Sequence, residues 1–314
     1  MSEKITFVSA SDHNYYPMLR EWVHSVRRFP ESKDMDICIL DAGMTKDQIE
    51  ALRPHVTKII QPEWPKKIPA RRIKGREYYK ACVCRPFLMD YFPGYDLYFW
   101  MDADTWVQDW RGVERFIEGG RRKKITLTSQ SDRAYPKGMR VKWLGSWPFK
   151  ARSFYFSNAR KAFGIKTAKE IFPYHVVLAG AFCMHKDAPH WNKWQELIIK
   201  ALEKGKVFTA EQLTLGIMTH LEKGYPAEVL PAYLHWLCEF KPLWDSEKQI
   251  FVEPYIPHEP IGILHLSGFD EIRVNRAATT DFETTAGGKI DYTYRYPYFN
   301  GETNEEVNTL PTKP

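Results

Sequence analysis

The sequence predicts an α/β protein with a mostly parallel central sheet flanked by helices, and three observations carry that prediction. Short apolar runs alternate with amphipathic segments from residue 5 onward, the rhythm of a doubly wound sheet. The run from Leu97 to Met101, introduced by Pro93-Gly94 and too short for a helix, is apolar on both faces, as a strand covered on both sides must be. That run stops abruptly at Asp102 and Asp104, and open α/β sheets bind ligands just beyond the carboxyl ends of their strands.

Taken in order, Ile5 to Ala10 reads as the first strand, followed by a polar turn. Pro17 to Val26 is a helix with Leu19, Trp22, Val23 and Val26 on one face and proline in its first turn. Met35 to Leu40 is a second strand, Thr45 to Leu52 a helix whose Thr45 and Gln48 have capping-box spacing, and Val56 to Ile60 a third strand. No Gly-X-Gly-X-X-Gly follows the first strand, which disfavours a dinucleotide fold of the dehydrogenase kind. The turn Asp12-His13-Asn14-Tyr15 would have to hold a ligand by its side chains.

Residues 62 to 76, with three prolines and six basic residues, are expected as a loop that could serve as a lid. Glu77 to Tyr91 is expected as a helix with Ala81, Cys84, Leu88 and Tyr91 inward; Arg85 on it either reaches a ligand at the crevice or pairs with Asp90. Val113 to Ile117 is a short helix and Ile125 to Ser129 a strand. Residues 131 to 163 are rich in aromatic, proline and basic residues without periodicity, the mark of an irregular functional insertion. Val176 to Met184 is a buried strand whose Ala179-Gly180 step lets a ligand or backbone come close, and Trp191 to Leu202 is an amphipathic helix. Thr209 opens another helix, and Ile261 to Leu266 is a strand running into His265-Leu266-Ser267-Gly268.

Composition sets bounds. The 314 residues are enough for one large domain with appendages, and 44% hydrophobic against 27% charged residues excludes wholesale disorder. No segment reaches the roughly 18 uninterrupted apolar residues of a spanning helix, and the N-terminus lacks the features of a signal peptide. Five cysteines without a framework fit core thiols in a reducing compartment, and no Asn-X-Ser/Thr sequon occurs, so a cytoplasmic location is expected. The net charge of +6 is concentrated in short basic clusters at 66–67, 71–76 and 121–124, which read as solvated faces and not as a nucleic-acid footprint. Attraction to an anionic substrate or peripheral contact with a membrane surface stays open.

The candidate chemistry begins at Asp102 and Asp104. Residues i and i+2 of an extended chain point the same way, so both carboxylates would face one point with Ala103 turned away. Two carboxylates so close repel unless a cation lies between them, and hard oxygen donors suit Mg²⁺ or Mn²⁺. Taken alone, the triplet reads equally as an acidic loop or a helix N-cap at Asp104. Glu211 and Gln212 likewise read as a first-turn carboxylate and the far half of a capping box with Thr209, and His265 as a hydrogen-bonded structural histidine.

In combination, Ala10-Ser11-Asp12-His13-Asn14-Tyr15, Leu40-Asp41-Ala42-Gly43, Arg85, Asp102-Ala103-Asp104, Leu178-Ala179-Gly180, Glu211-Gln212 and His265-Leu266-Ser267-Gly268 follow the order and approximate spacing of a known family. Over residues 5 to 270 the chain resembles family 8 of the glycosyltransferases, retaining enzymes that include bacterial lipooligosaccharide galactosyltransferases and glycogenin. The resemblance implies a GT-A (Rossmann-like) fold, a nucleotide-sugar donor, usually UDP-linked, and Mn²⁺ (or Mg²⁺). It implies metal ligation by Asp102, Asp104 and His265. Donor contacts are implied for Ala10, Asp12, Asn14, Tyr15, Arg85, Ala103, Ala179, Gly180 and Gly268, and roles beside the donor sugar for Glu211 and Gln212.

Three departures from the family pattern are visible: Leu178 replaces an asparagine, Glu211 an aspartate, and Glu271 a lysine six residues beyond the histidine. Arg273 is the nearest base to that position and is the candidate to supply the missing charge to the donor phosphates, with basic residues of the 66–76 loop as the alternative source. The expected organisation is a GT-A domain over 1–270, with 131–163 as an acceptor-side insertion, and a C-terminal extension over 271–314. The expected activity is hexosyl transfer to a glycan, glycolipid or protein hydroxyl. Two rival readings are a nucleotidyltransferase that makes the nucleotide sugar, disfavoured by the lack of a glycine-rich phosphate loop, and a catalytically silent sugar-binding protein.

Overall fold

The computed structural model describes residues 3–136, 140–268 and 270–298. The run through residue 60 builds as expected. Strands β1 (Ile5–Ser11), β2 (Asp36–Asp41) and β3 (Lys58–Ile60) pair in parallel and are linked by helices α1 (Tyr16–Arg27) and α2 (Lys46–Leu52). Both bonds of the Thr45/Gln48 capping box form at the start of α2. Asp41 receives the backbone N–H groups of Gly43 and Met44, which turns the chain out of β2.

The next stretch departs from expectation. Residues 62–76 contain a short helix, α3 (Ala70–Ile73), and the stretch is tied down: Arg72 donates to the carbonyls of Leu202, Glu203 and Gly205. The expected single helix over 77–91 is broken into 3-10 turns and two short helices, α4 (Lys80–Val83) and α5 (Leu88–Tyr91). Pro86 is the cause, because it lacks an N–H and disfavours helical backbone before it. The break also changes the inward face: Cys84 and Leu88 are buried, whereas Ala81 and Tyr91 are half-buried.

The strand of the opening motif, β4 (Leu97–Met101), lies beside β1 in parallel. Its residues alternate between the two cores: Tyr98 and Trp100 pack on one side of the sheet, Leu97, Phe99 and Met101 on the other. The chain then leaves the sheet through a turn at Asp102–Asp104 and makes β5 (Thr105–Val107), α6 (Trp110–Arg121), capped by Asp109, and β6 (Ile125–Ser129). The expected short helix at 113–117 is thus the middle of a longer one.

Residues 131–163 are not irregular throughout: β7 (Arg140–Leu144) and β8 (Trp147–Arg152) form a hairpin, and α7 (Phe156–Phe163) follows; residues 137–139 lie outside the described residues. Helix α8 (Ile165–Ile171) leads to β9 (Val177–His185), then α9 (His190–Lys204), α10 (Ala210–Leu221) and β10 (Ala227–Leu230). The main sheet has seven strands in the order β10-β6-β9-β4-β1-β2-β3. Every pairing is parallel except those of β9, which runs antiparallel to β4 and β6.

Beyond β10 come β11 (His235–Leu237), β12 (Leu243–Asp245), β13 (Ile250–Val252) and β14 (Ile263–His265). Strands β11, β14 and β5 form a small second sheet in which His265 lies opposite Thr105, the residue after Asp104. The C-terminal part adds α11 (Asp270–Val274), β15 (Thr280–Glu283) and β16 (Lys289–Tyr292). Phe282, Tyr294 and Tyr296 of this part belong to the larger core cluster, and Trp106 of β5 donates to the carbonyl of Tyr294. Residues 299–314 of the expected C-terminal extension lie outside the described residues.

Candidate active site

A cavity of about 370 Å³ opens at the carboxyl ends of β1 and β4. Its floor is the turn after β4, where Thr105 donates its N–H to the carbonyl of Asp102. This turn, not the alternation of an extended chain, brings the two aspartates to one side. The small sheet adds His265 from β14, and one ligating atom from each of Asp102, Asp104 and His265 falls within 4.8 Å of the others. Gly180 of β9 permits this closeness, because a Cβ there would stand 2.4 Å from His265 Cε1.

The three groups divide their atoms in a consistent way. Asp102 Oδ1 accepts from Arg85 Nη2 at 2.6 Å and from Trp100 Nε1 at 2.8 Å, and its Oδ2 faces His265 Nε2 at 3.9 Å. Asp104 Oδ2 pairs with Arg273 Nη2 at 2.6 Å, and its Oδ1 faces His265 Nε2 at 3.4 Å. Each carboxylate therefore turns one oxygen to an arginine and the other toward a shared point with the imidazole nitrogen. Two hard oxygens and one imidazole nitrogen suit a divalent ion such as Mn²⁺, so the residues present fit a metal.

Arg85 is the hub of the inner wall. Its buried guanidinium donates to Asp102, to Glu211 Oε1 at 2.9 Å and to the carbonyl of Ala179 at 2.8 Å, and it lies over the Trp100 ring. It does not pair with Asp90, whose carboxylate lies near Gln195. Glu211 has both oxygens engaged, because Oε2 accepts the Gln212 N–H. Burial pushes the Glu211 carboxyl up to about 7 against the opposing pull of Arg85. Burial also raises Asp102, whereas at Asp104 it is outweighed by His265 and Arg273, which hold that carboxyl below its ordinary range.

The expected Thr209/Gln212 capping box does not form. The Thr209 hydroxyl accepts from Asn158, and the Gln212 amide donates to the carbonyl of Val177 at 3.1 Å, which leaves Gln212 on the cavity wall. Burial of Thr209's neighbours explains the change: α7 packs close enough to claim the hydroxyl for tertiary contact.

Of the other expected site residues, Ala10, Asp12, Tyr15, Ala103 and Arg273 line the cavity. Arg273 sits 6.0 Å above the Tyr15 ring. Asp12 works within its own turn, accepting from the N–H groups of Asn14 and Tyr15, so it shapes the backbone there. Asn14, expected to face the ligand, is exposed; its amide bonds to Asp12, and it does not line the cavity. Ala179 and Gly180 contribute a backbone carbonyl and close packing, and Gly268, at φ +83°, supplies the turn that leads toward α11. The cavity also holds residues that sequence reasoning missed: Cys82, whose thiol burial keeps protonated, and an exposed aromatic rim of Tyr78, Phe154 and Phe208. Cys82 is only half-buried, unlike the other four cysteines, which are core thiols as expected.

Another missed residue is His235. It is fully buried on β11, its Nε2 lies 3.1 Å from His265 Nδ1, and its Nδ1 lies 2.9 Å from the Thr128 hydroxyl. Nothing in its local sequence signals a partner; only the pairing of β11 with β14 reveals it.

No family model and no curated protein matches this chain. Solved structures do. The galactosyltransferase LgtC in complex with donor and acceptor sugar analogs aligns at TM-score 0.51 and 15% identity, covering 84% of this chain and 87% of that one. An active-site mutant of LgtC aligns at TM-score 0.50 and 14% identity with the same coverage of 84% and 87%. The bifunctional glycosyltransferase WbbM in its apo form aligns at TM-score 0.51 and 12% identity, over 85% of this chain and 46% of that one. At such identities the likeness speaks for architecture, and it agrees with the mixed sheet and flanking helices described above: the chain has the GT-A fold.

Proposed function

We propose that the protein is a metal-dependent glycosyltransferase that moves a hexose from a nucleotide sugar, UDP-linked, to a hydroxyl acceptor with retention of configuration. The observation that carries this reading is the convergence of Asp102 Oδ2, Asp104 Oδ1 and His265 Nε2 on one point inside a cavity whose wall holds Glu211 and Gln212. A divalent ion bound by those three residues would neutralise the diphosphate as the glycosidic bond breaks. The chain's own residues do the rest.

Arg85 holds Asp102 and Glu211 in place. Glycosyl transfer passes through an oxocarbenium-like state, which the carboxyl of Glu211, in its ionised form, and the amide oxygen of Gln212 can steady. Neither is suited to be a covalent nucleophile: both Glu211 oxygens are engaged, and an amide is a poor nucleophile. That favours entry of the acceptor hydroxyl on the face from which the phosphate leaves, with retention. The exposed rings of Tyr78, Phe154 and Phe208 suit a sugar acceptor, which packs its apolar face on aromatics. Phe154 belongs to the 131–163 segment, in keeping with an acceptor-side role for it.

The test is direct. UDP with Mn²⁺ should raise the melting temperature, a panel of nucleotide sugars should include one from which UDP is released, and NMR of the fresh product should show the donor's anomeric configuration. Asp102→Asn and Asp104→Asn should abolish release while the metal-free variants stay folded. Near-normal metal-dependent turnover in either variant would sink the assignment, and an inverted product would sink retention.

A further inference from the structure

We propose that Thr128 and His235 form a buried hydrogen-bond relay that sets which nitrogen of His265 carries its proton, and so keeps His265 Nε2 open to a metal ion. The inference rests on the metal reading of the site given above, and it concerns residues that no part of that reading assigns.

The geometry has four parts. His235 stands opposite Ile263 in the parallel β11–β14 pair, so His235 and His265 share a face as diagonal neighbours. Their rings lie 5.2 Å apart at 18°, with His235 Nε2 3.1 Å from His265 Nδ1. Behind them the Thr128 hydroxyl of β6 lies 2.9 Å from His235 Nδ1, at a register shift between β6 and β9 that falls between Leu127 and Thr128. Both Thr128 and His235 are 0% exposed, so no solvent can substitute for a missing partner.

A neutral imidazole has one N–H and one bare nitrogen. For His265 to offer a bare Nε2 toward Asp102 and Asp104, its proton must sit on Nδ1 and be donated to a bare His235 Nε2. The His235 proton then sits on Nδ1 and needs an acceptor, which is the Thr128 hydroxyl. The alternative arrangement places the His235 proton on Nε2, aims it at His265 Nδ1 and forces the His265 proton onto the metal-facing nitrogen, with the Thr128 hydroxyl then donating to the bare His235 Nδ1; only the first arrangement needs the hydroxyl as an acceptor. Buried N–H groups without a partner are rarer than bare acceptors, so removing the hydroxyl favours the wrong arrangement. Thr128 and His235 are thus positioning residues: partners of this kind orient a ligating histidine and fix its tautomer.

The experiment compares Thr128→Val, Thr128→Ser, His235→Phe and the wild type. Mn²⁺ affinity is read by calorimetry without any sugar nucleotide, and the His265 tautomer by ¹⁵N NMR of the imidazole nitrogens. Thr128→Val should weaken Mn²⁺ binding by about 10- to 100-fold, the usual cost of losing such an outer partner, and move proton density to His265 Nε2. Thr128→Ser should restore both, which a merely structural role of the threonine methyl would not allow. His235→Phe should weaken Mn²⁺ at least as much as Thr128→Val. Thr128→Val that binds Mn²⁺ like the wild type, or a His265 tautomer unchanged in it, would overturn the relay while leaving the metal site standing. A wild type that takes up no Mn²⁺ but shows the His235–His265 hydrogen-bond coupling would instead overturn the metal reading, and the relay's proposed purpose with it.

Discussion

Asp102 and Asp104 are the same residue type two positions apart, yet the two sides of the site that hold them are built differently. Asp102 belongs to the inner wall, where its arginine, Arg85, is buried, bonds to a backbone carbonyl of β9 and reaches Glu211 on α10. Asp104 belongs to the outer wall, where its arginine, Arg273, rides on the five-residue helix α11 and also pairs with the exposed Asp270. The difference suggests a test: one arginine is held by three interior partners, and the other by two carboxylates that a ligand's phosphate could replace. An interior cation with three fixed partners cannot leave them cheaply. A cation on a short surface helix can exchange a carboxylate for a phosphate of similar charge and reach.

The largest expected effect tests the scaffold half. Arg85→Ala leaves the buried Glu211 and the half-buried Asp102 without their cation, and removing one member of a buried ion pair costs about 3–5 kcal/mol. Urea unfolding should register a loss of that size. Arg85→Lys should recover only a part, because a point charge cannot serve Asp102, Glu211 and the Ala179 carbonyl together. A loss below about 1 kcal/mol in Arg85→Ala would mean that the inner wall is at least as adaptable as the outer one.

A second prediction uses the charge of Glu211. Its folded value of about 7 lies above the ordinary 4.5. Between those two values the folded state binds more protons than the unfolded state, so Glu211 makes stability fall as pH rises through that window and stay lower above it. At about 1.4 kcal/mol per pH unit the effect is roughly 3 kcal/mol. Glu211→Gln should flatten the slope of unfolding free energy against pH from 4.5 to 7 in metal-free protein. An unaltered slope would place the proton on another group of the inner wall, with Asp102, whose carboxyl burial also raises, the next to substitute.

Much of this architecture is legible in the chain. The β1-α1-β2-α2-β3 run and β4 follow from period and length, because each element carries its own pattern: the buried face of α1, the capping box of α2, the two-sided burial of β4. The aspartate turn, Arg85 and the Glu211-Gln212 pair were legible as candidates through their order along the chain. What was not legible depends on contacts between distant segments. The break at Pro86 could have been read from the proline itself. Of the small β5–β14–β11 sheet only β14 was legible, within the strand expected over 261–266; β5 and β11, three residues each, are too short to show a period, and with their pairing went the partnership of His235 with His265. The capping reading of Thr209 failed for the same reason: Asn158, far off in sequence, claims the hydroxyl.

The smallest effect, and the sharpest on the comparison, concerns the outer wall. Arg273 faces Asp104 and Tyr15 from the segment that follows Gly268, and its pairing partners are a site carboxylate and an exposed aspartate. Arg273 is 19% and Asp104 7% exposed, so losing that pair leaves a buried carboxylate and should cost about 1–3 kcal/mol, less than at Arg85, whose guanidinium serves three partners. A donor's phosphates would offer the planar guanidinium a bidentate partner that Asp104 alone does not, and a charge-assisted bond of this kind contributes about 1.5–3 kcal/mol. Arg273→Ala should therefore bind UDP with Mn²⁺ more weakly by that amount while losing less stability than Arg85→Ala. Should UDP affinity by calorimetry stay unchanged in Arg273→Ala, the outer arginine is scaffold too, and the phosphate cation has to come from the 66–76 segment. There Arg72 is already bound to the end of α9, so Arg71 and Lys74, whose side chains are exposed, would be the next residues to replace.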